Sequence, residues 1–309
     1  MGRLAFLFPG QGSQYPGMGQ ALYEQSASAK RVLDQAEKQK PGLLDVCFSG
    51  PMERLTETEN AQPALFAVSL AAAEMAKELG LVPDVTAGFS LGEWTACAYS
   101  RMLGFEQAFS LVIKRGLWMQ ECALNNPGGM AAVLRLRAEE LHDLLKEYKN
   151  VYPVNYNTQE QIVVAAKNDD LDQFLGFLKA NGKRFIKLNV SGAFHSPLMK
   201  EASERIKAAL DNEQMNVPAL PVYSNLTALP YVFSEAKSTL AAQASSRVLW
   251  ADTILNMAAN GVDTFLELGP GRVLSGFVTK LLPEAQIYQA DNPDSLCAAV
   301  HEIRGTYEF

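Results

Sequence analysis

The 309-residue sequence has only three histidines, only four cysteines and no long apolar run. It nowhere contains the roughly 18 consecutive apolar residues that a membrane-spanning helix needs, and Leu4–Phe8 is too short for a signal-peptide core. Basic residues are outnumbered by acidic ones, 27 to 34, so the net charge is −7. This balance argues against nucleic-acid binding. We therefore expect neither a membrane nor a nucleic acid among the partners.

The few cysteines are scattered, which excludes the paired spacings of zinc sites and disulfide frameworks. We interpret all four as buried thiols in a reducing compartment, and we expect a cytoplasmic protein with no bound metal. They are Cys47, Cys97, Cys122 and Cys297.

What is present is an ordinary globular composition, with 48% hydrophobic and 20% charged residues. The length suits one large α/β unit or a large domain that carries a smaller insertion. In the first part of the chain, short apolar runs alternate with amphipathic stretches, a pattern typical of a parallel sheet covered by helices. Its segments are Leu4–Phe8, the region 20–39, Ala61–Leu79, the strand before residue 88, and Phe105–Ala123.

A different rhythm follows the turn signal Asn125–Gly129. Strand, helix, two strands, helix and strand succeed one another, and this βαββαβ order predicts a ferredoxin-like subdomain. The segments are Met130–Leu136, Ala138–Tyr148, Tyr152–Asn157, Gln161–Ala166, Leu171–Asn181 and Arg184–Val190; Pro221–Asn225 and Val262–Leu268 then predict further strands of the larger unit.

The segment Gly88-Phe89-Ser90-Leu91-Gly92 lies where an apolar strand gives way to a helix-forming stretch. A serine on such a strained elbow projects its hydroxyl from the sheet, and the following helix N-terminus favours negative charge nearby. Acyl transfer through a serine ester is the first hypothesis. An incidental turn is the alternative, because five residues with two free positions are a short pattern.

A nucleophilic serine needs a base, and the three histidines differ in context. His142 lies in a charged amphipathic stretch and His301 in a short helical stretch near the C-terminus, both typical of surface residues. His195 stands in a segment of small and apolar residues between a strand and a helix, where catalytic groups commonly lie. We predict that His195 is the base, against the alternative of a structural histidine.

Several motifs in one order make the chain similar, end to end, to malonyl-CoA:acyl carrier protein transacylases. They are Phe8–Gln14, the elbow extended to Glu93, Lys114-Arg115-Gly116, Phe194-His195-Ser196 and Glu267–Gly271. The resemblance implies an α/β-hydrolase-like large domain over residues 1–126 and 197–309, with a ferredoxin-like subdomain over 127–196 between Ser90 and His195. It also implies a pocket in the cleft between them.

The resemblance implies a ping-pong reaction through a malonyl-Ser90 ester, with His195 moving the protons. The backbone N–H groups of Gln11 and Leu91 fit an oxyanion hole, although Pro9–Gly12 alone also fits a plain turn. No acidic partner for His195 is evident from any motif. The resemblance suggests a backbone carbonyl instead, that of Leu249.

The same resemblance assigns the pocket. Arg115 would bind the malonyl carboxylate, although an arginine in an apolar helix otherwise indicates a snorkelling surface residue. Gln62 resembles a pocket position but also fits a helix cap. Phe194 would crowd a C2 methyl group and so favour malonyl over methylmalonyl. Phe89 stands where most relatives carry histidine, which bears on acyl preference and hydrolysis.

The implied partners are malonyl-CoA and an acyl carrier protein that brings its own phosphopantetheine, with no cofactor bound to this chain. The resemblance covers fatty-acid and polyketide synthesis alike and does not separate them. Two other functions stay open from the sequence: a serine hydrolase that edits acyl thioesters, and a non-catalytic docking module of a synthase assembly.

Overall fold

The computed structural model describes residues 2–306. Within them the chain forms nine strands: β1 Arg3–Phe8, β2 Val85–Gly88, β3 Gly128–Leu134, β4 Tyr152–Thr158, β5 Gln161–Lys167, β6 Arg184–Lys187, β7 Val222–Tyr223, β8 Val262–Leu268 and β9 Gln286–Ala290. The α-helices are α1 Gln20–Gln25, α2 Ala27–Gln39, α3 Leu43–Ser49, α4 Met52–Thr56, α5 Thr58–Glu78, α6 Leu91–Tyr99, α7 Phe105–Asn125, α8 Ala138–Leu145, α9 Asn168–Ala180, α10 Lys200–Asp211, α11 Ala236–Ala242, α12 Trp250–Ala259, α13 Val273–Leu281 and α14 Pro293–Thr306.

Five strands form a parallel sheet in the order β7-β2-β1-β8-β9. Its central strand β1 pairs with β2 from Ala5 opposite Val85 onward, and with β8 on the other side. Helices bury both faces, so successive β1 side chains enter two different cores. Strands β1, β2 and β8 all point their carboxyl ends to the same edge, where ligands bind in such sheets.

One core lies between the sheet and helices α2, α5, α6 and α7, and it contains Phe6 and Phe8. The other lies on the opposite face beneath α12 and α13, and it contains Ala5 and Leu7. Because β1 is buried on both faces, its position in the sheet is fixed. The loop that follows Phe8 is therefore held at the sheet edge.

Four strands form a separate antiparallel sheet in the order β4-β5-β3-β6. Helices α8 and α9 pack on one face, where they bury Ala131 and Val133 of β3. The intervening residues Met130 and Ala132 point to the other face, toward the larger unit. The prediction of a parallel α/β sheet with an inserted ferredoxin-like unit is confirmed, and the likeness to α/β-hydrolases lies at the turn after β2.

The predicted last strand of the small sheet is too long, because β6 ends at Lys187 and the chain then turns so that Leu188 and Val190 face the larger unit. The boundaries 127 and 196 of the subdomain stay a prediction. The two units are joined by backbone pairing. Val248 donates to the Val154 carbonyl of β4 at 2.7 Å and accepts from Tyr156 at 2.9 Å.

No helix within residues 2–306 combines the length and the apolar character needed to cross a bilayer.

Candidate active site

Ser90 lies between β2 and α6 with φ 54° and ψ −104°, a left-handed conformation that a non-glycine residue adopts at a cost of about 1–3 kcal/mol. The flanking glycines make the turn possible. A methyl group at Gly88 would overlap the backbone of Gly92, and one at Gly92 would overlap the Phe8 carbonyl oxygen. The turn predicted from the sequence is therefore a strained, closely packed strand-to-helix elbow rather than an incidental loop.

Asn225, directly after β7, holds both sides of the elbow. Its Oδ1 accepts from the Ser90 backbone N–H at 2.7 Å, and its Nδ2 donates to the Gly88 carbonyl at 2.7 Å. Asn225 is fully buried. One carboxamide thus stabilises the strained serine through two hydrogen bonds, a role that the sequence did not indicate.

His195 reaches Ser90 across 105 residues of sequence. Its Nε2 lies 2.7 Å from Ser90 Oγ, and its Nδ1 lies 2.9 Å from the Gln243 carbonyl oxygen. Because a carbonyl only accepts, Nδ1 carries the proton and Nε2 is free to accept the hydroxyl proton of Ser90. Burial, assisted by the nearby Arg115 charge, lowers the pKa of His195 to about 4. His142 and His301 are exposed, as the sequence predicted.

The prediction that Leu249 orients His195 is wrong. The Leu249 carbonyl accepts from the backbone N–H and the hydroxyl of Thr253 in the first turn of α12, so its hydrogen bonds are made within that helix. The carbonyl that accepts from His195 belongs to Gln243, in a short 3-10 turn before that helix. The principle of a backbone carbonyl behind the base holds, but the residue differs.

Arg115 is 0% exposed, which excludes the snorkelling interpretation. Its Nη1 donates to Gln62 Oε1 at 2.6 Å, and its Nη2 donates to Gln243 Oε1 at 2.8 Å and to Ser90 Oγ at 3.2 Å. Burial lowers the pKa of Arg115 to about 10, so the guanidinium is charged at neutral pH. Gln62 lies within α5 and is buried, so it holds the arginine and does not cap the helix.

Gln243 joins these groups, and sequence reasoning missed it. Its backbone carbonyl accepts from His195 and its Oε1 accepts from Arg115. Its Nε2 donates to the Ser90 carbonyl at 2.5 Å and to Glu93 Oε2 at 2.6 Å. It follows α11 in a run of alanines and serines. The only sign of a special role in that run is that a single glutamine interrupts it. One residue therefore fixes both the base and the arginine.

Glu93 is the acidic end of this network. Its Oε1 accepts from the Tyr231 hydroxyl at 2.5 Å and from the Asn225 backbone N–H at 3.1 Å. Burial raises the pKa of Glu93 to about 7, although the hydrogen bonds from Tyr231, Gln243 and Asn225 oppose that rise. The elbow motif included this glutamate, but no role followed from the sequence.

A pocket opens above Ser90, between the edge of the parallel sheet and the free face of the antiparallel sheet. Gln11 and Leu91 line it, and within residues 2–306 neither backbone N–H donates a hydrogen bond. Phe194, buried beside the base, forms one wall. Phe89 forms another with Phe277, and packs edge-on against Trp250 at a ring distance of 5.4 Å.

All four cysteines are free thiols. Three are buried as predicted, but Cys297 on α14 is exposed, because the α14 face that carries it points to solvent. Among the described residues, no group of three or more His, Cys, Asp or Glu side chains is placed to hold a metal ion.

Comparison with known proteins agrees with this geometry. The family described as "Acyl transferase domain" matches residues 5–292. The malonyl CoA-acyl carrier protein transacylase of Bacillus subtilis (strain 168) is 40% identical over 311 aligned positions, which cover 98% of each chain.

Two solved structures have nearly the same fold. The malonyl CoA-acyl carrier protein transacylase of Clostridium perfringens superposes with a TM-score of 0.94 at 33% identity over 98% of both chains. The transacylase in PlMCAT:AntF, a complex with the acyl-carrier protein of a type II polyketide synthase, superposes with a TM-score of 0.92 at 31% identity, covering 97% of this chain and 99% of that one.

Proposed function

The chain belongs to the acyl transferase domain family, and on that premise we propose that it transfers a malonyl group from malonyl-CoA to the phosphopantetheine thiol of an acyl carrier protein. The observation that carries the proposal is the contact of Ser90 Oγ with His195 Nε2 on one side and Arg115 Nη2 on the other. A nucleophile, its base and a cation for the acyl carboxylate thus meet at one atom.

In the first half-reaction, His195 Nε2 accepts the Ser90 proton while Oγ attacks the thioester carbonyl. The carbon–sulfur bond then breaks, and His195 returns the proton to the departing CoA thiol. The Gln243 carbonyl stabilises the transient imidazolium through Nδ1–H. A base of this kind contributes about 10²- to 10⁴-fold to the rate.

The tetrahedral oxyanion forms beside the backbone N–H groups of Gln11 and Leu91. Their lack of internal partners and their place in the pocket wall support this assignment. Leu91 also begins α6, whose N-terminus favours negative charge. Removing one such donor costs about 3 kcal/mol in comparable enzymes.

In the second half-reaction, the carrier thiol gives its proton to His195 and attacks the malonyl-Ser90 ester, and His195 then reprotonates Ser90. The acyl carrier protein bound to the transacylase in PlMCAT:AntF supports this partner. The chain's own side chains and the incoming thiols account for every proton that moves in the two half-reactions.

Arg115 selects the acyl group. Three of its five N–H groups donate to Gln62, Gln243 and Ser90. The other two, and the one that contacts Ser90, are available to a carboxylate. Phe194 beside the base narrows the space next to the C2 carbon and disfavours a methyl branch. Malonyl is thus preferred to acetyl and to methylmalonyl.

A serine hydrolase would use the same dyad, so the fate of the ester decides between the two functions. Phe89 places an apolar ring in the pocket wall, which disfavours a water molecule near the ester.

Four free thiols, three of them buried, support a reducing cytoplasmic location.

Intact-protein mass spectrometry tests the proposal. Mixing the chain with malonyl-CoA, methylmalonyl-CoA or acetyl-CoA should give an adduct with malonyl-CoA above all, and holo acyl carrier protein should discharge it faster than water does. Ser90→Ala should abolish the adduct, with Ser238→Ala, at an exposed serine of α11, as the matched serine control. An adduct that water removes faster than the carrier would establish the hydrolase, and no adduct at all would leave only a docking role.

A further inference from the structure

One buried carboxylate lies between the two residues that hold the candidate site in place. Glu93 is fully buried in the first turn of α6, shortly after Ser90. Its Oε2 accepts from the carboxamide of Gln243, and its Oε1 accepts from the backbone N–H of Asn225. Gln243 holds the base and the arginine, and Asn225 holds the elbow. A single side chain therefore contacts both supports of the site.

Three donors converge on the two oxygens of this carboxylate. The Tyr231 hydroxyl and the Asn225 N–H meet Oε1 at 2.5 and 3.1 Å, and Gln243 Nε2 meets Oε2 at 2.6 Å. A carboxyl group accepts at both ends even when it is protonated, because a proton on Oε1 can be donated to the tyrosine oxygen. A carboxamide accepts at one end only. Position 93 therefore needs two acceptor oxygens, which glutamine cannot supply.

The orientation of the Gln243 carboxamide decides what Arg115 meets. Its Nε2 points to Glu93 Oε2 and to the Ser90 carbonyl, at 2.6 and 2.5 Å. Its Oε1 then faces Arg115 Nη2 at 2.8 Å. If the carboxamide were turned over, it would present an N–H to a guanidinium that can only donate. Glu93 Oε2 thus favours the orientation in which Arg115 is held.

The carboxylate acts in this way without occupying the guanidinium. Within residues 2–306, the hydrogen bonds of Arg115 go to two carboxamide oxygens and one hydroxyl, and none goes to a carboxylate. A glutamate placed directly on the arginine would compete with an acyl carboxylate for the same N–H groups. With Gln243 between the two charges, the arginine keeps donors for a ligand.

Building on the proposed function, we propose that Glu93 is a positioning residue for acyl selectivity, which fixes the Gln243 carboxamide against Arg115. The backbone carbonyl of Gln243, which accepts from His195, does not depend on how that carboxamide is turned. Loss of the Glu93 contact should therefore weaken recognition of the malonyl carboxylate and spare the transfer chemistry.

The experiment compares acyl groups with and without a carboxylate. In Glu93→Gln, kcat/KM for malonyl-CoA should fall about two- to tenfold, the effect of one hydrogen bond, and kcat/KM for acetyl-CoA should change little. The loss should appear as a higher KM with kcat retained, because the carboxylate contact exists before and during the reaction. Glu106→Gln, at an exposed glutamate in the first turn of α7, is the matched control.

A double-mutant cycle tests the route through Gln243. Gln243→Met keeps a similar volume and removes the side-chain hydrogen bonds, so it should lower the malonyl-to-acetyl ratio of kcat/KM by itself. Adding Glu93→Gln should then leave that ratio unchanged, because the contact through which it acts is gone. A further loss in the double variant, or equal losses for both acyl groups, would reduce Glu93 to a support of the fold and overturn the proposal.

The unmodified chain provides a test that needs no variant to fold. The titratable groups that face Glu93 are Arg115, Tyr231 and Cys97, and none of them changes charge near neutral pH, since burial raises the pKa values of Tyr231 and Cys97 and that of Arg115 is about 10. Because both oxygens accept in either protonation state, the malonyl-to-acetyl ratio should stay constant through neutral pH.

A ratio that changes through neutral pH would show that the charge of Glu93, and not its two acceptor positions, acts on the arginine, and this would overturn the proposal. The proposed function fails in a different way, since the unmodified chain would then form no malonyl-Ser90 adduct at all. Adduct formation therefore distinguishes the two failures.

Discussion

His195, the proposed base, is kept neutral by its surroundings. Desolvation disfavours the imidazolium more than the Gln243 carbonyl favours it, so the pKa of His195 lies near 4 in the free protein. A base is active only when unprotonated. We therefore expect kcat/KM for malonyl-CoA to be flat through neutral pH and to fall on acidification only near pH 4. A pH–rate profile measures this directly, and an acid limb near pH 6.5 would contradict the buried, desolvated imidazole.

Arg115 contributes to that depressed pKa as a neighbouring cation. Arg115→Gln should therefore move the acid limb of kcat/KM to higher pH, though not as far as 6.5, because burial remains. The same profile for Lys114→Gln, which alters the exposed cation next to it, should match the unmodified chain. If kcat/KM of Arg115→Gln falls at the same acidic pH as that of the unmodified chain, the charge of Arg115 does not lower the pKa of His195.

On the proposed function, the charge of Arg115 also sets acyl selectivity. Arg115→Ala should lower kcat/KM for malonyl-CoA by about 10- to 150-fold, the worth of hydrogen bonds to a charged group, and acetyl-CoA should lose much less. The ratio of the two kcat/KM values is the readout. A ratio that stays constant would mean that the arginine holds Ser90 and not the substrate carboxylate.

The sequence predicted the three residues that meet at the centre of the candidate site and missed those that hold them in place. Ser90, His195 and Arg115 stand in recognisable local patterns. Gln243 and Asn225 act through contacts with site residues that lie 48 to 153 positions away, and no local pattern records such contacts. Leu249 failed for the same reason, because only the folded chain shows which carbonyl faces Nδ1.

At the scale of the elements, the elbow depends on how closely α6 approaches β1. The space at Gly92 is closed by the backbone of Phe8. Gly92→Ala should therefore destabilise the fold by about 3 kcal/mol or more. Chemical denaturation measures the change in the free energy of unfolding.

The matched control is Gly176, an exposed glycine within α9 whose added methyl group would meet nothing within 4 Å. Gly176→Ala should stabilise the protein by about 0.5–1 kcal/mol through helix propensity. Comparable losses at both glycines would refute the close approach of α6 to β1.

Hydrophobic periodicity predicted the elements better than their ends. The strand Val262–Leu268 has the predicted bounds, since alternating and continuous apolar runs report burial directly. The amphipathic region 20–39 forms two helices, because Ser26 ends α1 and caps α2 by accepting from the Ala29 N–H. Strand β9 was not predicted, since most of its residues are only half buried at the sheet edge.

For the whole molecule, two buried groups oppose each other in the pH dependence of stability. Unfolding returns Glu93 from a pKa near 7 to 4.5, so its contribution to stability falls as pH rises between these values. Unfolding returns His195 from a pKa near 4 to 6.5, so its contribution falls as pH drops through that window. Between pH 4.5 and 6.5 the two slopes nearly cancel.

Glu93→Gln removes one of these slopes. The variant should lose stability on acidification from pH 6.5 to 4.5 by about 1.4 kcal/mol per pH unit more than the unmodified chain does. His195→Gln should show the opposite slope, with stability falling as pH rises. Urea unfolding at several pH values measures both, and parallel curves for all three proteins would contradict the opposing titrations.

The backbone pairing of Val248 with β4 has a mechanical consequence. It joins the antiparallel sheet to the larger unit a few residues from Gln243, so the two walls of the pocket are held together at that point in the free protein. On the proposed function, both thiols enter and leave along one cleft whose two walls are joined at that edge.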